Sequence, residues 1–174
     1  MMILITGGSR SGKSSLGERL LSDWNGRKLY LATMMPRGEE SARAIERHRV
    51  MRAGKGFETV ERYTDVGTLS LPDGCGVLLE CMGNLLANEM FEAGEPDPCG
   101  KIIANVRRLS ERAGRLIVIT NQVDSDGMDY PRETSLYIQH LGKINASLAA
   151  SSCCVIESVY GIPVPLKGGL PPCL

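Results

Sequence analysis

Gly7-Gly8-Ser9-Arg10-Ser11-Gly12-Lys13-Ser14 follows the apolar run Met2 to Thr6 and leads into Leu16, Leu20 and Leu21, which recur at helical spacing between Ser14 and Asp23. Strand, glycine loop, helix is the context in which the pattern GxxxxGK[ST] binds phosphate. The glycines let the backbone bend so that successive N–H groups face one anion, and the helix N-terminus adds its partial positive charge. Lys13 then neutralises the outer phosphates of a nucleoside triphosphate, and Ser14 supplies a hydroxyl for Mg²⁺. Glu80, closing the run GVLLE, is placed like a second, acidic metal partner acting directly or through water. The competing reading of Glu80 is an acid that ends a strand beside a solvent-exposed loop.

Working outward from the loop, Lys28 to Thr33 reads as a second strand and Glu39 to Arg52 as a charged surface helix, with Ala42, Ile45 and Arg49 at helical spacing. Phe57 to Glu61 is a short strand, and Gly76 to Cys81 is an apolar run suited to a central strand covered on both faces. A helix near Asn84 to Glu92, a loop from Ala93 to Cys99 and a helix from Lys101 to Ala113 follow. Arg115 to Thr120 is a buried strand, Asn121 to Arg132 a polar loop, Glu133 to Ala150 a helix and Cys153 to Val159 the last core strand. The ending GIPVPLKGGLPPCL, with its prolines and glycines, forms an extended edge or a loose tail. Strands alternating with helices predict an α/β fold with a mostly parallel, doubly wound sheet.

The 174 residues fit one domain, spanning 1–174, and 43% hydrophobic residues suffice for a real core. Twenty basic against twenty acidic side chains leave no net charge, which argues against a surface built for nucleic-acid backbone or anionic lipid. No apolar run is long enough to cross a bilayer, and MMILITGG lacks the pattern of a signal peptide, so a cytoplasmic protein with small-molecule partners is expected. Six cysteines show no metal-finger spacing and read as reduced, mostly buried thiols.

A phosphate loop is shared by small-molecule kinases, GTPase switches and ATP-driven assembly proteins. The chain is short for a motor domain. Asn121-Gln122-Val123-Asp124 follows a strand where guanine-reading proteins place Asn-Lys-x-Asp, but Gln122 lacks the lysine stem and charge. His48, within Glu46-Arg47-His48-Arg49-Val50-Met51-Arg52, is surrounded by guanidinium groups that disfavour its protonation. A neutral imidazole there is able to attack an α-phosphate and form a phosphoramidate, with arginines stabilising the phosphoryl oxygens. Locally, a solvated histidine on a charged helix face accounts for the same residues. His140 has no comparable basic cluster and reads as structural.

The succession ILITGGSRSGKSSLGE, LYLAT, IERHRVMR, FETVE, VLLEC, TNQV, NASLA and GIPVPLK resembles the bifunctional adenosylcobinamide kinase / adenosylcobinamide-phosphate guanylyltransferase family through nearly the whole chain. The resemblance implies a RecA-like fold in which the phosphate loop, Gly7 to Ser15, binds GTP or ATP. It implies that His48 becomes covalently attached to GMP, and that the acceptors are adenosylcobinamide and its phosphate. By the same resemblance Leu31, Ala32, Thr33, Arg49, Arg52, Glu61 and Glu80 match nucleotide-contacting positions, and the chain assembles as a homotrimer. Glu61 or Glu80 is then suited to accept hydrogen bonds from guanine, which leaves Glu80 two roles. The chain departs from the family where NEVG has become Asn121-Gln122-Val123-Asp124, with loss of a carboxylate, and where RxFRDxxG has become Ser135-Leu136-Tyr137-Ile138-Gln139-His140-Leu141-Gly142. ECMGNLLAN replaces a more apolar segment, and Ala44 stands where the family usually has arginine. A divergent kinase or nucleotidyltransferase with another acceptor, and a GTP-binding regulatory protein, are the other functional readings.

Overall fold

The computed structural model describes residues 1–123 and 129–172, without the side chains of Glu40, Ala44, His48, Met51 and Arg52. Seven strands form one sheet: β1 (Met2–Thr6), β2 (Lys28–Ala32), β3 (Phe57–Glu61), β4 (Gly76–Leu79), β5 (Arg115–Ile119), β6 (Cys154–Val159) and β7 (Ile162–Lys167). Their order is β3-β2-β4-β5-β1-β6-β7. All pairs are parallel except β6 with β7. The helices are α1 (Lys13–Arg19), α2 (Gly38–Arg52), α3 (Met82–Ala87), α4 (Pro98–Arg112) and α5 (Arg132–Ser151).

The central strands are apolar at every position because helices cover both faces. On one face Leu4, Leu79 and Val118 pack with Leu86 of α3, Val106 of α4 and Ile144 of α5. On the other, Ile3, Leu78 and Ile117 pack with Leu16 of α1 and with Leu20 and Leu21 of the turn after it. Thus the chain leaves β1 toward one face and β5, its neighbour, toward the opposite face. In parallel sheets such a reversal opens a crevice at the carboxyl ends of the two strands, where ligands bind.

Helix α2 has another character. None of its described residues is buried, and Val50 is 65% exposed. It is polar all round, and its charged side chains pair along its length, as in Arg43 with Glu39 at 2.8 Å.

Most expected elements fall where the sequence put them, with strand Phe57–Glu61 matching at both ends. The helix expected near Asn84 to Glu92 is instead α3 followed by a π-helical turn over Asn88–Glu92. Helix α4 starts earlier than expected, because Asp97 caps it by accepting from the Gly100 amide at 3.0 Å and Pro98 occupies the first turn. Strand β6 is the last core strand, as expected, and Tyr160 and Gly161, both at positive φ, turn the chain into the exposed β7, so the tail is an antiparallel edge rather than loose. The expectation of mostly buried cysteines is corrected. Of the five described, all free, only Cys75 and Cys154 are buried, while Cys81 and Cys99 are half-buried and Cys153 is exposed. Cys153 lies just before β6 begins and so escapes the cover that reaches Cys154. Cys173 lies outside the described residues. Among the described residues no helix is long and apolar enough to cross a membrane.

The π-helical turn cross-links the far end of the sheet. Asn88 Nδ2 donates to the carbonyls of Thr33 (2.9 Å) and Tyr63 (3.0 Å), fixing the exits of β2 and β3. Glu89 is fully buried, accepts from the Asp65 amide at 3.0 Å and is neutralised by Lys101 Nζ at 2.8 Å. Lys101 also reaches Asp65 (3.0 Å) and Glu95 (3.4 Å), and the hydrogen bond to Glu89 holds its ammonium group well above the ordinary lysine range. Removing the cation strands a buried carboxylate, so Lys101→Met is expected to lower unfolding free energy by about 3 kcal/mol in urea denaturation.

Candidate functional site: the phosphate loop and its surroundings

The loop between β1 and α1 closes only because two of its residues are glycine. Gly7 has φ 139°, and a Cβ there would lie 2.6 Å from the Ser158 carbonyl oxygen and 2.9 Å from Ser11 Oγ. Gly12 has φ 92°, and its Cβ would lie 3.1 Å from Gly161 Cα. The β6–β7 turn clamps the loop from outside, since the Ser11 carbonyl accepts from the Gly161 amide at 2.8 Å and from Ser158 Oγ at 2.7 Å. Lys13 is buried and donates to the carbonyls of Gly7 (3.0 Å) and Gly8. Burial lowers its pKa below the ordinary lysine range, with a smaller opposing effect from Cys81.

These features fit a polyphosphate. Ser11 Oγ is buried and has no hydrogen-bond partner among the described residues, a donor left for an anion in the loop. Ser14 stands in the first turn of α1, and Glu80 lies 7% exposed just beyond β4, its amide donating to the Leu31 carbonyl at 3.1 Å. A hydroxyl and a carboxylate suit Mg²⁺, which usually takes one or two protein oxygens and completes its shell with substrate phosphates and water. Among the described residues there is no group of three or more His, Cys, Asp or Glu able to hold a metal.

The other expected residues form a second group. The Arg49 guanidinium donates to Glu61 Oε1 at 2.9 Å, and Tyr63 OH donates to Glu61 Oε2 at 2.8 Å, so both oxygens of Glu61 are engaged. Burial, the hydrogen bond to Glu61 and its charge raise the Tyr63 phenol above its ordinary range. Leu31, Ala32 and Thr33 are buried at the end of β2, and their carbonyls already accept from the Glu80 amide, the Arg62 amide and Asn88 Nδ2. The backbone of His48 and Arg52 belongs to α2, while their side chains lie outside the described residues. Strand β3 is four positions from β1 in the sheet, so the Arg49–Glu61 pair stands roughly 19 Å from the start of the loop at usual strand spacing. The structure brings Lys13, Ser14 and the loop together, and joins Arg49 to Glu61, as separate groups.

Further polar residues gather at the crevice, of which Thr120 and Asn145 were not singled out as site residues from the sequence. Thr120 Oγ1 donates to Asn145 Oδ1 at 2.6 Å, and Asn145 Nδ2 donates to the Asn121 carbonyl at 3.4 Å. Gln122 meets the loop directly, its amide donating to the Gly7 carbonyl at 3.4 Å. Asp124 of the same segment lies outside the described residues. Cys81 Sγ accepts from the Asn84 amide at 3.5 Å at the start of α3, and burial raises its thiol above the ordinary range. Tyr137, pushed up to about 12 by burial, abuts Gly83 of α3. His140, expected to be structural, has Nδ1 2.9 Å from Cys99 Sγ, linking α5 to α4. The available signal for Asn121 and Gln122 was their place directly after a buried parallel strand.

A glycine loop clamped at the carboxyl edge of a mostly parallel sheet, with a buried lysine inside it, defines a phosphate-loop nucleotide-binding protein. Residues 3–166 match the family described as cobinamide kinase / cobinamide phosphate guanyltransferase, and the chain belongs to that family. It is similar to the bifunctional adenosylcobalamin biosynthesis protein CobU of Escherichia coli (strain K12), with 32% identity over 96% of this chain and 100% of the relative. It is also 29% identical to the bifunctional adenosylcobalamin biosynthesis protein CobP of Pseudomonas aeruginosa, over 97% of this chain and 98% of the relative. Among solved structures, a prototypical ATPase from the type III secretion system of pathogenic bacteria superposes with a TM-score of 0.56 at 12% identity, covering 94% of this chain and 56% of that one. That likeness concerns the fold alone and agrees with the expected phosphate-loop, RecA-like architecture.

A bound triphosphate favours the charged form of Lys13 and so raises its lowered pKa. Affinity is therefore expected to be greatest below the free-protein pKa of Lys13 and to fall as pH rises through it, by at most about tenfold per pH unit. Isothermal titration with a nonhydrolysable GTP analogue from pH 7 to 10 measures this. Lys13→Met is expected to weaken binding at pH 7 by on the order of 100-fold and to flatten the profile.

Proposed function

We propose that this chain carries both of its family's transfers on one phosphate-loop domain: phosphorylation of adenosylcobinamide from ATP or GTP, and delivery of GMP from GTP to adenosylcobinamide phosphate. The match of residues 3–166 to the family, together with the closed loop around Lys13, carries the reading. In the first transfer the acceptor hydroxyl attacks the γ-phosphorus, the bond from that phosphorus to the bridging oxygen breaks, and the nucleoside diphosphate leaves with the electron pair. The loop amides, the Ser11 hydroxyl and Lys13 orient the phosphates and neutralise the oxygens on which charge accumulates. Ser14 and Glu80 would hold Mg²⁺, which when bound would supply further charge neutralisation on those phosphates.

In the second transfer the His48 imidazole attacks the α-phosphorus of GTP, pyrophosphate leaves, and a phosphoramidate remains. A phosphate oxygen of adenosylcobinamide phosphate then attacks the same phosphorus, the P–N bond breaks, and His48 is regenerated with adenosyl-GDP-cobinamide as product. Arg49 and Glu61 exchange their mutual ion pair for contacts with the nucleotide, and Arg52 adds a second cation from the same helix. We place the protein in the cytoplasm as a homotrimer. Tyr160 (95% exposed), Ile162 (64%) and Leu166 (57%) on the β6–β7 ribbon form an apolar surface consistent with subunit contact.

Incubation with Mg²⁺ and α-labelled GTP is expected to leave one acid-labile GMP per chain, mapped to the peptide containing His48. His48→Ala is expected to abolish that adduct and GMP transfer while at least about a tenth of the kinase rate remains. GTP binding without an adduct, or equal loss of both activities in the variant, contradicts this division of labour. Light scattering of the purified protein reads the oligomeric state, and a monomer at micromolar concentration removes the trimer.

A further inference from the structure

Arg37, Arg43 and Arg49 each find a carboxylate, in Glu92 at 2.6 Å, Glu39 at 2.8 Å and Glu61 at 2.9 Å. Arg47, exposed on α2, pairs with none of the described carboxylates. It lines a cavity of about 430 Å³ between α2 and α3, at the carboxyl end of β2. That volume is within the range of small-ligand sites. The exit of β2 contributes the thioether chains of Met34 and Met35, while α3 and the π-helical turn contribute Ala87 and the carboxamides of Asn84 and Asn88. Asn88 Nδ2 already donates to Thr33 and Tyr63, and no described group hydrogen-bonds to its Oδ1 or to the Asn84 side chain. The lining carries no carboxylate. A helix advances about 100° per residue, so the backbone of position 48 stands on α2 between Ser41 and Arg47, both of which line the cavity.

An unpaired guanidinium beside neutral carboxamides and thioethers suits a phosphomonoester carried on an amide-bearing, largely apolar framework. It suits guanine poorly, since no carboxylate lines the cavity to accept from the N1 and N2 edge. The triphosphate has its own donors at the phosphate loop, in Lys13 and Ser11. We infer that this cavity is the acceptor site for GMP transfer, in which Arg47 binds the phosphate of adenosylcobinamide phosphate while Asn84 and Asn88 meet a carboxamide arm of the corrinoid. The cavity admits the phosphate-bearing arm, and the macrocycle rests outside it. By neutralising the acceptor phosphate, Arg47 lowers its repulsion from the GMP phosphate. An oxygen of the acceptor phosphate attacks the phosphorus of GMP, the new O–P bond forms as the P–N bond breaks, and the electron pair of that bond returns to the imidazole nitrogen. Unphosphorylated adenosylcobinamide gains no contact with Arg47, so the cavity tells the two acceptors apart.

This inference rests on the guanylyl-transfer reading, and binding and chemistry are read separately. Kd values for adenosylcobinamide phosphate and for adenosylcobinamide are measured by isothermal titration without nucleotide, and adduct formation from α-labelled GTP is followed alongside. The proteins compared are the unaltered chain, Arg47→Gln, Arg47→Lys and Arg43→Gln. For Arg47→Gln, Kd for the phosphate is expected to rise about tenfold, while Kd for adenosylcobinamide and the rate of adduct formation stay within about twofold. Arg47→Lys keeps the charge and is expected to recover the Kd for the phosphate to within about threefold. Arg43 lies outside the cavity lining, and Arg43→Gln is expected to change none of the three. Equal weakening toward both corrinoids, slower adduct formation with unchanged acceptor binding, or the same loss in Arg43→Gln overturns the assignment of Arg47. Failure of the unaltered protein to bind either corrinoid overturns the acceptor site. The expected binding pattern without an adduct in the unaltered protein upholds the phosphate site and overturns the guanylyl-transfer reading.

Discussion

Six strands running in one direction place the phosphate loop, Glu80 and Gln122 at a single edge of the sheet. Parallel pairing requires each strand to be followed by a crossover, so the carboxyl ends of β1, β4 and β5 all open onto the same side. Strand β1 lies between β5 and β6, and its exit loop is therefore touched from both flanks. From one flank comes the Gln122 amide, and from the other the turn that grips the Ser11 carbonyl. Were β1 at an edge, the loop would lack one of these supports, and the glycines that let it bend would also let it wander. The antiparallel β7 serves the same end, because the tight turn before it supplies Gly161 to the clamp.

The two faces divide the labour. Helix α1 fills one face and delivers Lys13 and Ser14 to the loop, while α3, α4 and α5 fill the other and support the crevice wall. The pair of Lys101 with the buried Glu89, and Asn88, stiffen the exits of β2 and β3 far from the loop, where Arg49 and Glu61 lie. Helix α2, which carries His48, is the exception to this consolidation: it is polar on every side and contributes none of its described residues to the core. A proposed nucleophile on so lightly packed an element is compatible with chemistry that alternates between two partners. The phosphate cradle is thus clamped from both flanks, while α2 is lightly packed.

Chemistry at the crevice follows from its charge. A loop of amides, a buried ammonium and a hydroxyl without a partner among the described residues present a concentrated positive potential to a polyanion, and burial makes each interaction stronger than it would be in water. Glu80 stands just beyond β4 beside this potential, where a carboxylate suits a cation that accompanies a nucleotide.

Local sequence determined the elements and the phosphate loop, because the signals involved are short: an apolar run, a glycine pattern, then leucines at helical spacing. Phe57–Glu61 was legible to the residue for the same reason, while the early start of α4 at Pro98 was missed although Asp97 and Pro98 form a recognisable cap. The family, too, was legible from the order of its motifs, whereas the role proposed for His48, which its immediate neighbours alone left undecided, rests on that resemblance. Only the tertiary structure decided which distant residues meet. Glu157 reaches Gln122, Arg49 reaches Glu61 and Lys101 neutralises Glu89 through strand order and helix packing, which no local window contains. Cysteine exposure and the fate of the tail were settled in the same way: a side chain's cover depends on what packs over it, and an edge strand exists only where a neighbour offers its hydrogen bonds.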